Sequence, residues 1–235
     1  MITIELGDFR YTSCPENAIA MIVDPPFNLG KNYGDFKDDQ PYHKWVKELL
    51  EWSTAKWNLI LGPWVSIYDW LPHVPKPDRI LIWHRTFILP TKKPKNMSWS
   101  YATTPILVYR MPDSEWCGPT QHDRDWHDTI DAHSAMGDIQ TMERYFPENR
   151  PKHPGMTGTA IATKLIEGVS NPRDLIVDPM CGLGSIPLAA LRMGREAWGC
   201  EINPEYRDFT LSWIHKEGLS SNLFDYAEAS QSVRE

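Results

Sequence analysis

The chain has 235 residues, 41% of them hydrophobic, and a formal net charge of −7. This size suffices for one α/β domain with its own core, and no apolar run reaches the roughly 18 residues of a membrane span. The N-terminus lacks a signal-peptide pattern. The four cysteines (Cys14, Cys117, Cys181, Cys200) have no C-x-x-C spacing. We therefore expect a cytoplasmic protein with reduced thiols and no membrane association.

The charges are unevenly distributed along the chain. Seven basic residues and one acid lie between Lys76 and Arg110, whereas nine acids and three arginines lie between Met111 and Arg150. A negative total charge disfavours nucleic-acid binding. Because the distribution is so uneven, we expect one basic face on an acidic protein.

Two strands are predicted at the start of the chain. Ile2–Leu6 alternates in hydrophobicity and stops at Gly7-Asp8, and the apolar run Ala18–Val23 stops at Asp24-Pro-Pro-Phe27. The residues between them are expected to form a short helix or turn. On its own, Asp24-Pro-Pro-Phe27 is typical of a turn that ends a strand.

The next segment is polar and contains glycines. Residues Asn28 to Gln40 are interpreted as a mobile lid beside a reaction site, or else as a plain surface loop. Pro41 then opens a predicted helix with apolar residues at helical spacing, including Trp45 and Leu49. Trp64–Tyr68 alternates and is predicted to be a strand.

A basic and aromatic segment lies between two further predicted strands, Arg79–Trp83 and Thr104–Arg110, which we expect to pair antiparallel. The first strand runs into His84-Arg85, and the segment between the strands contains Lys92, Lys93, Lys95 and Trp99. Cations beside flat aromatic rings suit phosphates and unstacked bases. An exposed hairpin tip is the alternative.

Histidines and acids are frequent between Met111 and Arg150, with His122, His127 and His133 among them. None of their spacings is that of a zinc finger or of H-E-x-x-H. We therefore interpret this segment as a polar loop and predict no metal site.

The C-terminal third has the pattern of a nucleotide site. A predicted strand, Leu175–Asp178, leads through a loop with Gly182 and Gly184 into a helix, and a second strand from Glu196 ends at Glu201, 23 residues after Asp178. Such an acid suits hydrogen bonding to ribose hydroxyls, and the helix N-terminus offers unpaired N–H groups. The loop is not G-x-G-x-x-G, so a dinucleotide is not expected.

Helices are predicted on both sides of this pattern. One continues from the segment after Lys152 to Val169, with Thr157 or Thr159 as a capping residue. The other is capped by Asn203-Pro204 and runs to about Lys216. The polar tail from Ser220 is expected to be mobile.

Asp24-Pro-Pro-Phe27 together with Asp178-Pro-Met-Cys-Gly-Leu-Gly-Ser185 resembles the catalytic and S-adenosylmethionine motifs of DNA amino-methyltransferases. The order, catalytic motif first, is that of the β-class, and the likeness extends from about Ile4 to about His215. It implies a Rossmann-like three-layer α/β/α domain over residues 1–219, with a mostly parallel sheet, an antiparallel hairpin edge, a permuted motif order and a short recognition segment at about 111–150.

The resemblance also implies roles for individual residues. Gly7-Asp8 matches a family G-D pair that follows the third strand of the sheet and whose acid contacts the adenine of the cofactor. His153-Pro154 matches the start of the family's H-P-T-Q-K-P segment. Met156-Thr157-Gly158 departs from the rest of that segment. Thr104 stands where the family usually has Glu. The implied catalytic residues are Asp24, Pro25, Pro26 and Phe27. The implied cofactor-binding residues are Asp8, His153, Pro154, Asp178, Pro179, Cys181, Gly182, Gly184, Ser185, Glu201 and Ile202. The expected DNA-contacting residues are Asn28, Lys31, His84, Arg85, Lys92, Lys93, Lys95 and Trp99.

The implied reaction is methyl transfer from S-adenosylmethionine to the N6 amine of adenine, flipped out of duplex DNA. Asp24 and the Pro25 carbonyl would each accept one N–H of the amine, and Phe27 would stack on the base. Asp as the first motif residue favours adenine. Cytosine N4, an RNA or other nucleobase amine, and a silent methyltransferase-like subunit remain alternatives, and a homodimer is expected from the family.

Overall fold

The computed structural model describes residues 1–33, 36–65, 67–85, 103–117, 129–132, 136–145, 151, 153 and 155–219. The strands are β1 Ile2–Leu6, β2 Ala18–Val23, β3 Asn32–Tyr33, β4 Phe36–Lys37, β5 Trp57–Leu61, β6 Arg79–Arg85, β7 Thr103–Arg110, β8 Thr129–Ala132, β9 Leu175–Asp178 and β10 Glu196–Glu201. The helices are α1 Tyr42–Trp52, α2 Ile67–Trp70, α3 Met136–Tyr145, α4 Thr159–Val169, α5 Ser185–Arg192 and α6 Pro204–Lys216.

Eight strands form one sheet in the order β1-β10-β9-β2-β5-β7-β6-β8. The first five are mutually parallel, β7 is antiparallel to both of its neighbours, and β8 is parallel to β6. Strands β3 and β4 form a separate antiparallel pair. The sequence correctly predicts the hairpin of β6 and β7, but β8 pairs outside it, so the hairpin is not the edge of the sheet.

The central strands are buried on both faces, and successive side chains of β2 enter two different cores. Ala20 and Ile22 pack on one face with α4 and α5, whereas Met21 and Val23 pack on the other with α1 and Trp70. A third cluster joins α3 and α6 to Leu188. A continuous apolar run is what a strand covered on both faces requires, and the predicted three-layer α/β/α arrangement is confirmed.

Most predicted elements lie where the sequence places them. Helix α1 begins after Pro41, α4 ends at Val169, and α6 runs from Pro204 to Lys216 with the Asn203 side chain accepting from the backbone N–H groups of the first turn. Neither Thr157 nor Thr159 is the N-cap of α4, because Gly158 occupies that position and the carboxylate of Asp138 accepts from the Thr159 N–H.

The strand predicted at Trp64–Tyr68 is also wrong. Residues 64 and 65 lie in a turn, and α2 follows. Ile67 and Trp70 are three residues apart, so one helical turn directs both toward the core under α1. The true neighbouring strand is β5, which the sequence analysis did not identify and whose residues are all buried.

None of the helices in the described part of the chain is long and apolar enough to span a membrane. The tail from Ser220 lies outside the described residues.

Candidate active site

A cavity of about 250 Å³ lies at the carboxyl ends of the parallel strands, where open α/β sheets bind their ligands. Both motifs contribute to its wall. Of the expected catalytic, cofactor-binding and DNA-contacting residues, those that line the cavity are Asp8, Asp24, Pro25, Pro26, Phe27, Lys31, Arg85, His153, Asp178, Pro179, Cys181, Gly182, Ser185, Glu201 and Ile202.

Strand pairing explains why two motifs so distant in sequence meet. Strand β2 pairs in parallel with β9, with Met21 opposite Val177. Asp24 follows β2 and Asp178 ends β9, so both carboxylates emerge at the same edge. They are close enough for the charge of Asp24 to raise the pKa of Asp178.

The Asp24 carboxylate is held by one hydrogen bond and two positive charges. The Thr157 hydroxyl donates to its Oδ2 over 2.5 Å. Burial raises the pKa of Asp24, whereas this hydrogen bond and the charges of Lys31 and Arg85 oppose the rise. Asp24 thus combines partial burial with neighbours that favour its ionised form.

Phe27 forms the aromatic side of the cavity. Its ring lies edge-on to that of Tyr42, with 6.0 Å between centroids. The Tyr42 hydroxyl donates to the Leu61 carbonyl over 2.8 Å, and its ring contacts Trp70 at 4.7 Å. Because Tyr42 is fixed by β5 and α2, the position of Phe27 depends on the hydrophobic core behind it.

The glycine loop after β9 is closely packed. Gly184 has φ +82°, and a Cβ there would lie 2.3 Å from Cγ2 of Thr210. The N–H of Gly182 donates to Glu201 Oε2, and that of Gly184 to the Cys181 carbonyl. These two amides are therefore already bonded within the protein. The expectation that the N-terminus of α5 offers unpaired N–H groups to a ligand stays a prediction. Gly184 is not part of the cavity wall.

Two buried acids form the polar part of the wall. Asp178 is 2% exposed and accepts from the Met180 N–H, and Glu201 is 8% exposed and accepts from Asn203 as well as from Gly182. Burial raises the pKa of both carboxyls, that of Asp178 strongly. Such acids are suited to accept hydrogen bonds from a ligand's hydroxyl or ammonium donors.

Asp8 lies in the cavity wall, but its carboxylate already has a partner. Both oxygens accept hydrogen bonds from the Arg10 side chain, and Oδ1 also accepts from the Arg10 N–H. Burial raises the pKa of Asp8, but the hydrogen bonds from Arg10 outweigh it and leave the pKa below its ordinary value. The contact to adenine thus stays a prediction.

His153 is a neutral ring in the cavity wall. Burial lowers its pKa to about 4. Its ring lies 4.9 Å from that of Tyr206, and its Nδ1 accepts from the Gly155 N–H. A Cβ on Gly182 would lie 3.1 Å from its Nε2. Pro154 lies outside the described residues.

The loop after the catalytic motif is organised by a residue that the sequence analysis did not identify. Asp38 is buried, and its carboxylate accepts from the backbone N–H groups of Asn28, Leu29 and Lys31. An acid placed ten residues after Asn28 carries no local sequence signal. Whether the loop moves as a lid stays a prediction.

Some of the expected DNA-contacting residues line the cavity and others do not. Lys31 and Arg85 line the cavity, whereas Asn28 and His84 do not. His84 contacts Asp131 at 2.9 Å, and the Arg85 guanidinium lies 4.6 Å from the Trp83 ring and donates to Thr104. Lys92, Lys93, Lys95 and Trp99 lie outside the described residues.

The described side chains contain no group of three or more histidines, cysteines or acids that could hold a metal ion. His122, His127 and His133 lie outside the described residues.

Comparison with known proteins gives concordant matches. A family model described as DNA methylase, for N6- and N4-directed enzymes, matches residues 74–212. The type II methyltransferase M.HpaI of Haemophilus parainfluenzae is 25% identical over 89% of this chain and 71% of its own length. The structure of PvuII DNA methyltransferase, cytosine-N4-specific, superposes with a TM-score of 0.71 at 16% identity, covering 98% of this chain and 90% of that one. The M1.HpyAVI–SAM complex gives 0.59 at 18% identity, over 91% and 100% of the two chains.

Proposed function

Because the chain belongs to the DNA methylase family of N6- and N4-directed amino-methyltransferases, we propose that it methylates the N6 amine of adenine in duplex DNA. The observation that carries this proposal is the shared cavity. Asp24 to Phe27 line the same space as Asp178 to Leu183 and Glu201. A site for the methyl donor and a site for the amine would thereby be adjacent.

The cavity residues fit S-adenosylmethionine, the methyl donor of the family. Asp178 and Glu201 are buried acceptors for its ammonium and ribose hydroxyls. The Oγ of Ser185 is buried in the wall without a hydrogen-bond partner among the described residues, so a polar ligand group would satisfy it. When bound, the cofactor supplies a methyl group activated by a positively charged sulfur. The cavity residues that would hold it are Asp8, His153, Asp178, Pro179, Cys181, Gly182, Ser185, Glu201 and Ile202, whereas contacts from Pro154 and Gly184 stay predictions.

Asp24 and Pro25 prepare the amine. The lone pair of an exocyclic amine is delocalised into its ring, which makes it a poor nucleophile. Asp24 would accept one N–H, and the Pro25 carbonyl the other, since proline presents only an acceptor. With both hydrogens held, the nitrogen becomes tetrahedral and its lone pair is directed at the methyl group.

Phe27 and Pro26 provide the surface on which the base rests. The cavity lies at the ends of the strands, so a base inside a duplex could not reach Asp24. We therefore propose that the target base is flipped out and stacks on Phe27. Lys31 and Arg85 contribute positive charge to the wall of the same cavity, which suits the phosphate backbone of DNA.

The identity of the base rests on Asp24, because Asp as the first motif residue favours adenine. Cytosine N4 is the second candidate, since the PvuII enzyme, which superposes over nearly the whole chain, is cytosine-N4-specific. By likeness to M.HpaI we also propose a type II methyltransferase of a restriction-modification system. A homodimer and a cytoplasmic location stay predictions.

The test is to incubate the protein with S-adenosylmethionine and unmodified duplex DNA, with single-stranded DNA and RNA in parallel, and to identify the modified nucleoside by mass spectrometry. We expect N6-methyladenine from the duplex in excess over the other two substrates. Detection of N4-methylcytosine instead would show that the target base is cytosine and not adenine. Modification of RNA alone would contradict the assignment to DNA.

A further inference from the structure

Thr157 lies in the segment between His153 and α4, and its side chain is directed at the catalytic motif. It is 6% exposed, and its hydroxyl donates to Oδ2 of Asp24 over 2.5 Å. Gly158, not Thr157, is the N-cap of α4. The hydroxyl of Thr157 therefore has a partner in the active site rather than in its own helix.

This contact gives the two oxygens of the Asp24 carboxylate different roles. A carboxylate without a fixed partner can rotate about its Cβ–Cγ bond, whereas a hydroxyl bonded to Oδ2 fixes that rotation. Oδ1 is then left to accept the N–H of the target amine. On the premise of the proposed function, we propose that Thr157 is a positioning residue that aims Oδ1 of Asp24 at the amine.

The support for Thr157 is itself rigid. Two residues further on, Thr159 is bound twice by the buried carboxylate of Asp138, which accepts from the Thr159 N–H and from its hydroxyl, both over 2.7 Å. The guanidinium of Arg192 also donates to the Thr159 hydroxyl over 3.2 Å. The backbone that carries Thr157 is therefore fixed to α3 and α5, as the precise orientation of a catalytic group requires.

The charged groups around Asp24 determine how its protonation responds to the loss of Thr157. Lys31 and Arg85 favour its ionised form, and Asp178, whose pKa is raised by burial and further by the charge of Asp24, is a second acid near it. Tyr42 faces it as a neutral phenol whose pKa burial raises. Asp24 must be ionised to accept the amine hydrogen, and the Thr157 hydroxyl favours that form. Removal of the hydroxyl should therefore move the acid limb of the activity profile to higher pH.

The experiment compares Thr157→Val with Thr157→Ser. Valine keeps the shape and lacks the hydroxyl, so we expect kcat to fall by about 10- to 100-fold, the scale of a lost hydrogen bond to a charged group. The acid limb of the pH profile of kcat should move to higher pH, and KM for S-adenosylmethionine should remain unchanged. Serine should restore most of kcat and the wild-type acid limb. Thr157→Ala gives the same readout if the second methyl group of valine disturbs folding.

Thr159→Val is the matched control, because it is the same chemical change two residues away, at a hydroxyl that bonds to Asp138 and not to Asp24. It should lower the melting temperature and leave the acid limb in place, because the Thr159 N–H still donates to Asp138 and keeps the backbone fixed. If Thr157→Val keeps the wild-type kcat and acid limb, or if Thr157→Ser is as impaired as Thr157→Val, the positioning role is wrong. If the wild-type protein itself transfers no methyl group, the proposed function fails, and this is a separate outcome.

Discussion

At the scale of single residues, the acids of the candidate active site owe their properties to the packing around them. Asp24, Asp178 and Glu201 are acids whose pKa burial raises. The sequence could place each of them at the end of a strand, because apolar runs followed by acids show this directly. It could not predict the Thr157 bond, since 133 residues separate Thr157 from Asp24 and only the fold brings them together.

Burial of Asp178 should cost stability in the ligand-free protein at neutral pH. Because its pKa is higher in the folded state than in the unfolded one, its contribution to stability is present below the ordinary carboxylate pKa and is lost as pH rises through the folded pKa. Asp178→Asn should therefore raise the melting temperature at pH 8, by about 2–4 °C for each kcal/mol recovered. The same change should weaken binding of S-adenosylmethionine.

Thermal unfolding between pH 5 and pH 8 checks this prediction, with Asp113→Asn as the control because the Asp113 side chain is 74% exposed. The rise in melting temperature from Asp178→Asn should become smaller as pH falls. Asp113→Asn should not raise the melting temperature at any pH in this range. A gain that grows toward acid pH would contradict the assigned direction of the pKa shift.

At the scale of elements, the ends of the parallel strands β1, β2, β9 and β10 and the N-terminus of α5 all contribute residues to the cavity wall. The sequence predicted β2, β9, β10 and α5 because periodicity and glycines are local signals. It failed at Trp64–Tyr68, where alternation imitates a strand but Ile67 and Trp70 pack at helical spacing. It also missed β5, whose burial on both faces removes the alternation expected of a strand.

The turn between β9 and α5 depends on the absence of a side chain at Gly184. Gly184→Ala should destabilise the protein by about 1–2 kcal/mol for its left-handed backbone and by about 1–3 kcal/mol more for overpacking against Thr210. Gly194→Ala is the control, since Gly194 also has a positive φ, +72°, but a Cβ there would contact nothing within 4 Å.

Urea unfolding of the two variants separates backbone strain from the steric clash. The loss of unfolding free energy should be larger for Gly184→Ala than for Gly194→Ala. Adding Thr210→Ser to Gly184→Ala removes the nearest methyl group and keeps the hydroxyl that donates to the Gly182 carbonyl. This second change should recover part of the loss. Equal losses at the two glycines would show that the contact with Thr210 is unimportant.

At the scale of the whole molecule, the parallel strands of the sheet bring residues from both ends of the chain into one candidate active site. The family model covers residues 74–212, so the proposed catalytic motif at Asp24 lies outside the matched region and is joined to it by the pairing of β2 with β9. The fold class could be predicted because both motifs occur at strand ends in a recognisable order. The base and the target sequence could not be predicted, since the segment at about 111–150 that we expect to recognise DNA is short and lies partly outside the described part of the chain.

The most direct measurement is the transfer of a labelled methyl group from S-adenosylmethionine to duplex DNA by the wild-type protein and by Asp24→Ala. Thermal stabilisation by the cofactor, measured on both proteins, verifies that each is folded and binds it. We expect transfer by the wild type and a loss of at least about 100-fold in the variant, with similar stabilisation of both. Equal transfer by the two proteins, or no transfer by a wild-type protein that binds the cofactor, would contradict the proposal that Asp24 prepares a DNA amine for methylation.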